Sequence, residues 1–261
     1  MTDLLFLEER RRAILQRLEA EGRVTVRDLS TAMRVSAVTI RQDLRALEEL
    51  GLLERTYGGA VASGGAARLQ ELSFNVRLNK QHAEKQAIAA FAAQFVEDGA
   101  SVALDSSTSV YALLPYLKRL NKLTIVTNGL VLGQSFLDKP EFQVLVTGGR
   151  VRADSISLVG LPESLPNVNL NVGFFGARGL AESVGATDID PDEVVIKQAM
   201  IARCVRSIFL VDSGKWGEIA PYTIAPMELV QHVVTTDKSP PEMIARLRDR
   251  GIIVDIASIS P

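Results

Sequence analysis

The chain has 261 residues, 47% of them hydrophobic, and a formal net charge of −2, long for one domain and comfortable for two. No apolar run approaches the roughly 18 residues of a membrane span, and Glu8 to Arg12 follow too soon on a short apolar stretch for a secretory signal. One cysteine, Cys204, with His82 and His232 as the only histidines, leaves no internal disulfide and argues against a soft-ligand zinc site; the expectation is a cytoplasmic protein needing neither metal nor cofactor.

The first 60 residues hold 10 arginines and no lysine against 10 acids, which leaves 19 basic against 21 acidic residues in the remainder. A broadly basic nucleic-acid coat is thus excluded, and any DNA contact must come from local placement of arginines. Leu7, Ile14 and Leu18 recur at helical spacing in "LEERRRAILQRLEA", and Gly22 stops that first helix. Arg10, Arg11 and Arg12 cluster near its start, as DNA-facing charge or as ordinary surface. In "VTVRDLSTAM", Thr25 is placed to cap a short second helix with Asp28 three residues on, and Leu29 and Met33 face inward. "RVS" is a tight connection, with Ser36 placed to cap a third helix.

At 100° per residue from Ile40, Leu44 falls at about 40° and Leu47 at about −20°. Arg41, Arg45, Val38 and Gln42 spread from about 100° to 200°, on the opposite face. Arginine and glutamine carry paired donors and acceptors that match base edges in the major groove, and Thr39, to one side, is placed for a phosphate. A solvated helix face with two arginines is common. Here, though, a short helix, a three-residue connection and a capped second helix precede "GLLERTYGGAV", which reads as two short strands around a turn. The segment from Arg10 to Val61 resembles the N-terminal signature of the DeoR family of bacterial transcriptional regulators. The resemblance implies a winged helix-turn-helix over residues 1–61, with the helix-turn-helix at about 24–50 and the wing at 52–61. It implies a DNA surface of Ser36, Val38, Thr39, Arg41, Gln42, Arg45, Arg55 and Tyr57, the last replacing a more usual histidine.

Residues 62–73, with "ASGGAARLQEL", read as a linker. Over 74–261, a helix through "EKQAIAAFAAQFV" precedes seven apolar strand candidates: "SVALD", "LTIVTN", "FQVLVTGG", "VGFFGA", "SIFLVD", "HVVTTD" and "IIVDIA". Helical stretches such as "EVVIKQAMIARCV" and "PPEMIARLRDRG" fall between them, so the fold class is α/β with a mostly parallel sheet. Polar loops follow several strands, and ligands of open α/β sheets bind beyond such strand ends. In the first loop, Asp105 would accept from sugar hydroxyls, while Ser106, Ser107, Thr108 and Ser109 at a helix start suit a phosphate. Each motif also has a structural explanation, as cap or turn.

"FNVRLNKQHAEKQAIA", "ALDSSTSVYALLPYL", "LTIVTNGL", "VTGGRVR", "SLVG", "FFGARGL" and "LVDSGKWG" are similar to the sensor domain of DeoR-type regulators, a relative of ribose-5-phosphate isomerase-like folds. The resemblance implies a phosphorylated sugar or polyol effector held by Asp105 to Ser109, with Asn128, Gly149 and Lys215 lining the site. Arg178 stands where an acidic or neutral polar residue is more frequent; it either serves a more acidic effector or pairs with Asp188 or Asp190. The expected protein is a homo-oligomeric repressor of sugar or polyol genes that releases operator DNA on binding effector. The alternative is an isomerase- or deaminase-like enzyme, with Asp188, Asp190, Glu193 and Lys197 as candidate proton-transfer groups. A sensor reduced to oligomerisation is a third reading, against which the hydroxyl loop argues.

Overall fold

The computed structural model describes residues 7–49, 52–61, 74–160 and 162–259. The expected linker at 62–73 lies outside the described residues. The chain divides into two compact units, Met1–Asn79 and Lys80–Pro261.

The first unit begins with α1 (Leu7–Glu21), β1 (Arg23–Thr25), α2 (Val26–Met33) and α3 (Ala37–Glu49). The hairpin β2 (Glu54–Thr56) and β3 (Gly59–Val61) follows, and α4 (Phe74–Asn79) closes the unit. Ile14 and Leu18 of α1, Leu29 of α2, and Ile40, Leu44 and Leu47 of α3 form one core with Leu53. Leu7, at the first position of α1, is 47% exposed. Thr25 caps α2 as expected: its hydroxyl accepts from the Asp28 N–H at 3.1 Å and donates to the Asp28 carboxylate at 2.7 Å. Arg34 ends α2 in the left-handed region (φ 53°), which turns the chain into α3. The wing carries a third strand that the sequence reading missed: β1, far from the hairpin in sequence, pairs antiparallel with β3, which also pairs with β2. Gly59 must be glycine, since a Cβ there would stand 2.0 Å from the Val24 carbonyl oxygen of β1.

The second unit runs α5 (His82–Ala92), β4 (Ser101–Leu104), the short helices α6 (Thr108–Tyr111) and α7 (Leu114–Leu117), β5 (Thr124–Thr127) and α8 (Leu130–Ser135). β6 (Gln143–Val146) leads to the hairpin β7 (Arg150–Arg152) and β8 (Ser157–Val159), then to β9 (Leu170–Gly176), β10 (Gly179–Ala181) and β11 (Gly185–Asp188). α9 (Pro191–Ile201), β12 (Cys204–Leu210), β13 (Tyr222–Ala225), β14 (His232–Thr236), α10 (Pro241–Asp249) and β15 (Ile253–Ala257) complete it. The helical pattern assigned to 193–205 ends earlier than expected, and Cys204 and Val205 open β12.

All seven expected strands lie in one parallel sheet of order β15-β14-β12-β9-β4-β5-β6. Both faces are covered, which is why these strands read as continuous apolar runs rather than alternating ones. Ala103, Val126, Phe175 and Phe209 face α9 and α10, whose Ile196, Met200, Ile244 and Leu247 share their core. Leu104, Ile125, Phe174 and Ile208 face the opposite layer, with Ile88 of α5 and Leu132 of α8. The chain winds outward from β4 through β5 to β6, then returns to β9 beside β4 and winds the other way. Strand order therefore reverses between β4 and β9, the place where open α/β sheets leave a crevice at their carboxyl edge. A separate three-stranded antiparallel sheet, β10-β11-β13, was not foreseen.

Candidate functional site

In the first unit, Ile40, Leu44 and Leu47 seat α3, so Arg41, Gln42 and Arg45 emerge exposed on the other side with Val38, itself 60% exposed. Ser36 caps the helix, accepting from the Thr39 N–H at 3.1 Å, and the two hydroxyls are 2.8 Å apart. The wing is fixed to the helical part by the Val26 N–H, which donates to the Gly58 carbonyl at 2.8 Å. Tyr57 at the wing tip is fully exposed. Arg55 is partly engaged, its backbone N–H donating to the Glu48 carboxylate at 3.1 Å and its guanidinium lying 3.6 Å from it.

Two of the three arginines near the start of α1 do not form a free basic surface. Arg10 and Arg11 both ion-pair with Asp43 of α3, at 2.6 and 3.1 Å, and Asp43 is 1% exposed. Helical geometry held the signal: Asp43 falls at about −60° from Ile40, inside the buried arc, so it required a cation. Which cation met it depended on how α1 packs on α3.

In the second unit, the expected effector residues gather at the carboxyl edge of the sheet. Asp105 follows β4 at the switch point and is completely buried. Its carboxylate accepts from the Ser107 N–H at 2.9 Å and the Gly176 N–H at 2.9 Å, and lies 3.1 Å from the Lys197 ammonium. Asp105 thus ties the β4 loop to β9 and α9. Ser106 and Ser107 of the loop are also engaged. Ser106 donates to Glu193 at 3.0 Å, and Ser107 caps α6 by accepting from the Val110 N–H at 3.3 Å. Thr108 and Ser109 are buried within the first turn of α6.

Around this loop lies a charged cluster built on α9. Lys197 is 3.2 Å from the Gly176 carbonyl oxygen and 2.6 Å from Asp188. Burial alone would lower its pKa, but Asp105, Asp188 and Glu193 together raise it above the ordinary lysine value. One turn earlier, Glu193 collects the hydroxyls of Ser106, Ser155 and Ser157, with Arg152 at 3.5 Å. Burial, the largest single effect, opposes ionisation of Asp188 and Glu193, but the Lys197 charge and the hydrogen bonds each carboxylate accepts together outweigh it and hold both carboxyls below their ordinary values. Asp190 caps α9 by accepting from the Glu193 N–H at 2.9 Å and pairs with Arg152 at 3.0 Å. Of the two partners considered for Arg178, Asp188 is the one met, at 3.7 Å, and burial pulls the Arg178 pKa down. The i, i+4 spacing of Glu193 and Lys197 was visible in sequence; the meeting of Lys197 with Asp105 and of Glu193 with Ser106 was not.

The remaining expected residues share the same edge. Asn128 follows β5 and is fully buried. Gly149 stands at φ +137°, where a Cβ would meet the Val159 carbonyl oxygen at 2.3 Å, so its role is to let β7 and β8 close together. Lys215, in a short turn after β12, is two strands from Asp105.

The proton-transfer candidates of the enzyme alternative, Asp188, Asp190, Glu193 and Lys197, are bound to one another and to Arg152 and Arg178. His232 opens β14 at the amino edge, bonded to Arg206 at 2.9 Å and Asp255 at 2.7 Å, away from the strand ends where Asp105 lies. His82 is exposed on α5.

The DeoR-like helix-turn-helix domain matches residues 10–64, and the DeoR C terminal sensor domain matches residues 80–237. The HTH-type transcriptional regulator GolR of Listeria innocua serovar 6a is 32% identical over 97% of this chain and 100% of its own length. The HTH-type transcriptional repressor GlcR of Bacillus subtilis is 31% identical over 95% of each chain. The putative aga operon transcriptional repressor of Escherichia coli O157:H7 is 29% identical over 94% of this chain and 92% of its own. A solved ribose 5 phosphate isomerase A from Neisseria gonorrhoeae aligns at TM-score 0.36 and 15% identity over 51% of this chain and 52% of its own, too remote a likeness to bear on chemistry. Two domain matches in the expected order, with relatives similar from end to end, place this chain in the DeoR family of DNA-binding transcriptional regulators.

Proposed function

We propose that this protein represses sugar or polyol genes in the cytoplasm and is released from operator DNA by a phosphorylated sugar or polyol. Residues 1–61 act as the DNA-binding domain, 62–73 as linker and 74–261 as effector domain. The observation that carries the DNA half is the exposed face of α3, with Val38, Arg41, Gln42 and Arg45 opposite a buried seat. Arg41, Gln42 and Arg45 read base edges in the major groove, while Ser36, Thr39, Arg55 and Tyr57 hold the backbone. Repressor activity is supported by relatives named as repressors. The effector half is supported by the carboxyl edge of the sheet, where Asp105 to Ser109 and Arg178 follow the two strands of the switch point, β4 and β9, and Asn128, Gly149 and Lys215 follow β5, β6 and β12. A homo-oligomer with two-fold symmetry presents paired recognition helices to repeated half-sites, and effector changes their spacing or orientation.

The test is a gel-shift titration on DNA from upstream of the protein's own gene, with and without a panel of sugar phosphates. Arg41→Ala and Arg45→Ala should each weaken operator binding by about 5- to 150-fold and relax sequence preference, at about 1–3 kcal/mol per bidentate base contact. Unchanged shifts would remove the assigned recognition face. A wild-type complex that survives every sugar phosphate would remove the effector reading and leave the DNA reading intact.

A further inference from the structure

Asp105, Asn128 and Thr147 each stand one residue beyond the ends of β4, β5 and β6. The pairings Leu104 with Thr127 and Thr127 with Val146 set them side by side. The Thr147 N–H continues that register by donating to the Thr127 carbonyl at 3.0 Å. Side chains alternate along a strand, so all three point to the face of Ala103, Val126 and Leu145. Asp105 is fully satisfied by Lys197 and two backbone N–H groups, but its neighbours in the row are not. Asn128 donates only a long 3.4 Å bond to the Leu158 carbonyl, and its Oδ1 has no hydrogen-bond partner among the described residues. The Thr147 hydroxyl, 2% exposed, has none there either.

A buried polar atom without a partner is uncommon in a folded protein, and two on adjacent strands are a stronger sign. Neighbouring strands are about 4.8 Å apart, so one hydroxyl between these side chains can donate to Asn128 Oδ1 and bond Thr147 Oγ1 at once. The hairpin β7–β8 covers the row. The Leu158 N–H donates to the Asn128 carbonyl at 2.7 Å, and the hairpin turn holds Ile156 at φ 50°, a costly conformation for a β-branched residue. Arg152, Ser155 and Ser157 tie the hairpin to Glu193.

We propose that Asn128 and Thr147 form a hydroxyl-reading subsite under the β7–β8 hairpin, which takes one hydroxyl of the effector's carbon chain beside the Asp105–Ser109 loop. This rests on the effector reading above and deepens it, making Thr147 a specificity-determining residue. The ligand class is a polyhydroxylated chain carrying phosphate, engulfed beneath the hairpin. Because the two atoms are held for a ligand, the free protein keeps them at a cost to its own stability.

The experiment compares wild type, Thr147→Val and Thr147→Ser. Melting is followed without ligand, and titration calorimetry uses glucose 6-phosphate, fructose 1-phosphate, galactitol 1-phosphate and inorganic phosphate. Valine removes the hydroxyl and keeps the shape, so the ligand-free Tm should stay level or rise. Affinity for any of the three phosphorylated chains that wild type binds should fall at least tenfold, with inorganic phosphate unaffected and serine restoring the loss. Unchanged sugar-phosphate affinity in the valine variant would overturn the subsite. So would a lower ligand-free Tm, which would mean that the hydroxyl serves the fold. If wild type binds no phosphorylated chain, the effector reading fails; the melting arm still decides whether Thr147 is held at a cost to stability.

Discussion

Replacing Lys197 with methionine removes one charge from the centre of the buried cluster and keeps the length of the side chain. Its ammonium, 3% exposed, is 2.6 Å from Asp188 and 3.1 Å from Asp105. Removing one partner of a buried ion pair costs about 3–5 kcal/mol, because the other charge stays desolvated. Asp105 keeps its bonds from Ser107 and Gly176, and Asp188 keeps the Ile189 N–H and the more distant Arg178, so the lower end, about 3 kcal/mol, is expected. For a unit of this size that corresponds to a fall of roughly 6–12 °C in the melting of the sensor unit, read by calorimetry at pH 7. The pH dependence separates this cause from lost packing. Asp188 and Glu193 have folded-state pKa values below their ordinary ones. The stability they contribute is therefore complete above the unfolded carboxyl value and drains away as pH falls through the folded one. Lys197 is shifted up, so its contribution is intact below the ordinary lysine value and disappears only in strong alkali. Without the ammonium the carboxyls protonate earlier on acidification, and the deficit should shrink as pH falls from 7 toward about 4. A loss below about 3 °C, or one that is the same at both pH values, would refute the electrostatic account.

The other expectations concern anchoring contacts. Asp43→Ala leaves Arg10 and Arg11 facing each other without their shared carboxylate and should destabilise the N-terminal unit by about 3–5 kcal/mol. Faster amide exchange in α1 and α3, with the sensor unit unaffected, is the readout; undisturbed exchange would show that the pair is dispensable. Glu84→Ala removes the buried carboxylate on α5 that accepts from the Ser213 N–H at 2.9 Å, the Ser213 hydroxyl at 2.8 Å and the Thr236 hydroxyl at 2.7 Å. A loss of about 2–4 kcal/mol is expected from urea unfolding, with exchange rising first in residues 212–215, and a smaller effect elsewhere in the sheet.

Much of the architecture could be read from local pattern. The seven parallel strands declared themselves as short apolar runs because burial on both faces requires it, and Ile40, Leu44 and Leu47 marked the seat of α3 by period alone. The strands β7, β8, β10, β11 and β13 did not, since they pair antiparallel outside the main sheet and take no part in the strand–helix alternation that marked the others. At the site, Asp105 to Ser109 stood out as a polar loop after a strand, but which of its groups remain for a ligand depended on Lys197, Gly176 and Glu193. Thr147 was visible only within the strand candidate "FQVLVTGG"; that its hydroxyl has no partner among the described residues is a property of the packed structure.

The amino-acid sequence by itself determined the two-part plan, the exposed arginine and glutamine face of α3, and the parallel α/β class. Each of these follows from helical or strand periodicity and from caps within a few residues. Only the tertiary structure decided the strand order that places the switch point between β4 and β9, the capture of Arg10 and Arg11 by Asp43, and the charged cluster around Lys197. It also left Asn128 Oδ1 and Thr147 Oγ1, on adjacent strands, without partners among the described residues. The physical reason is common to all four: pairing of charges and of hydrogen-bonding groups depends on distance in space and on exclusion of water, and neither is set by nearness along the chain.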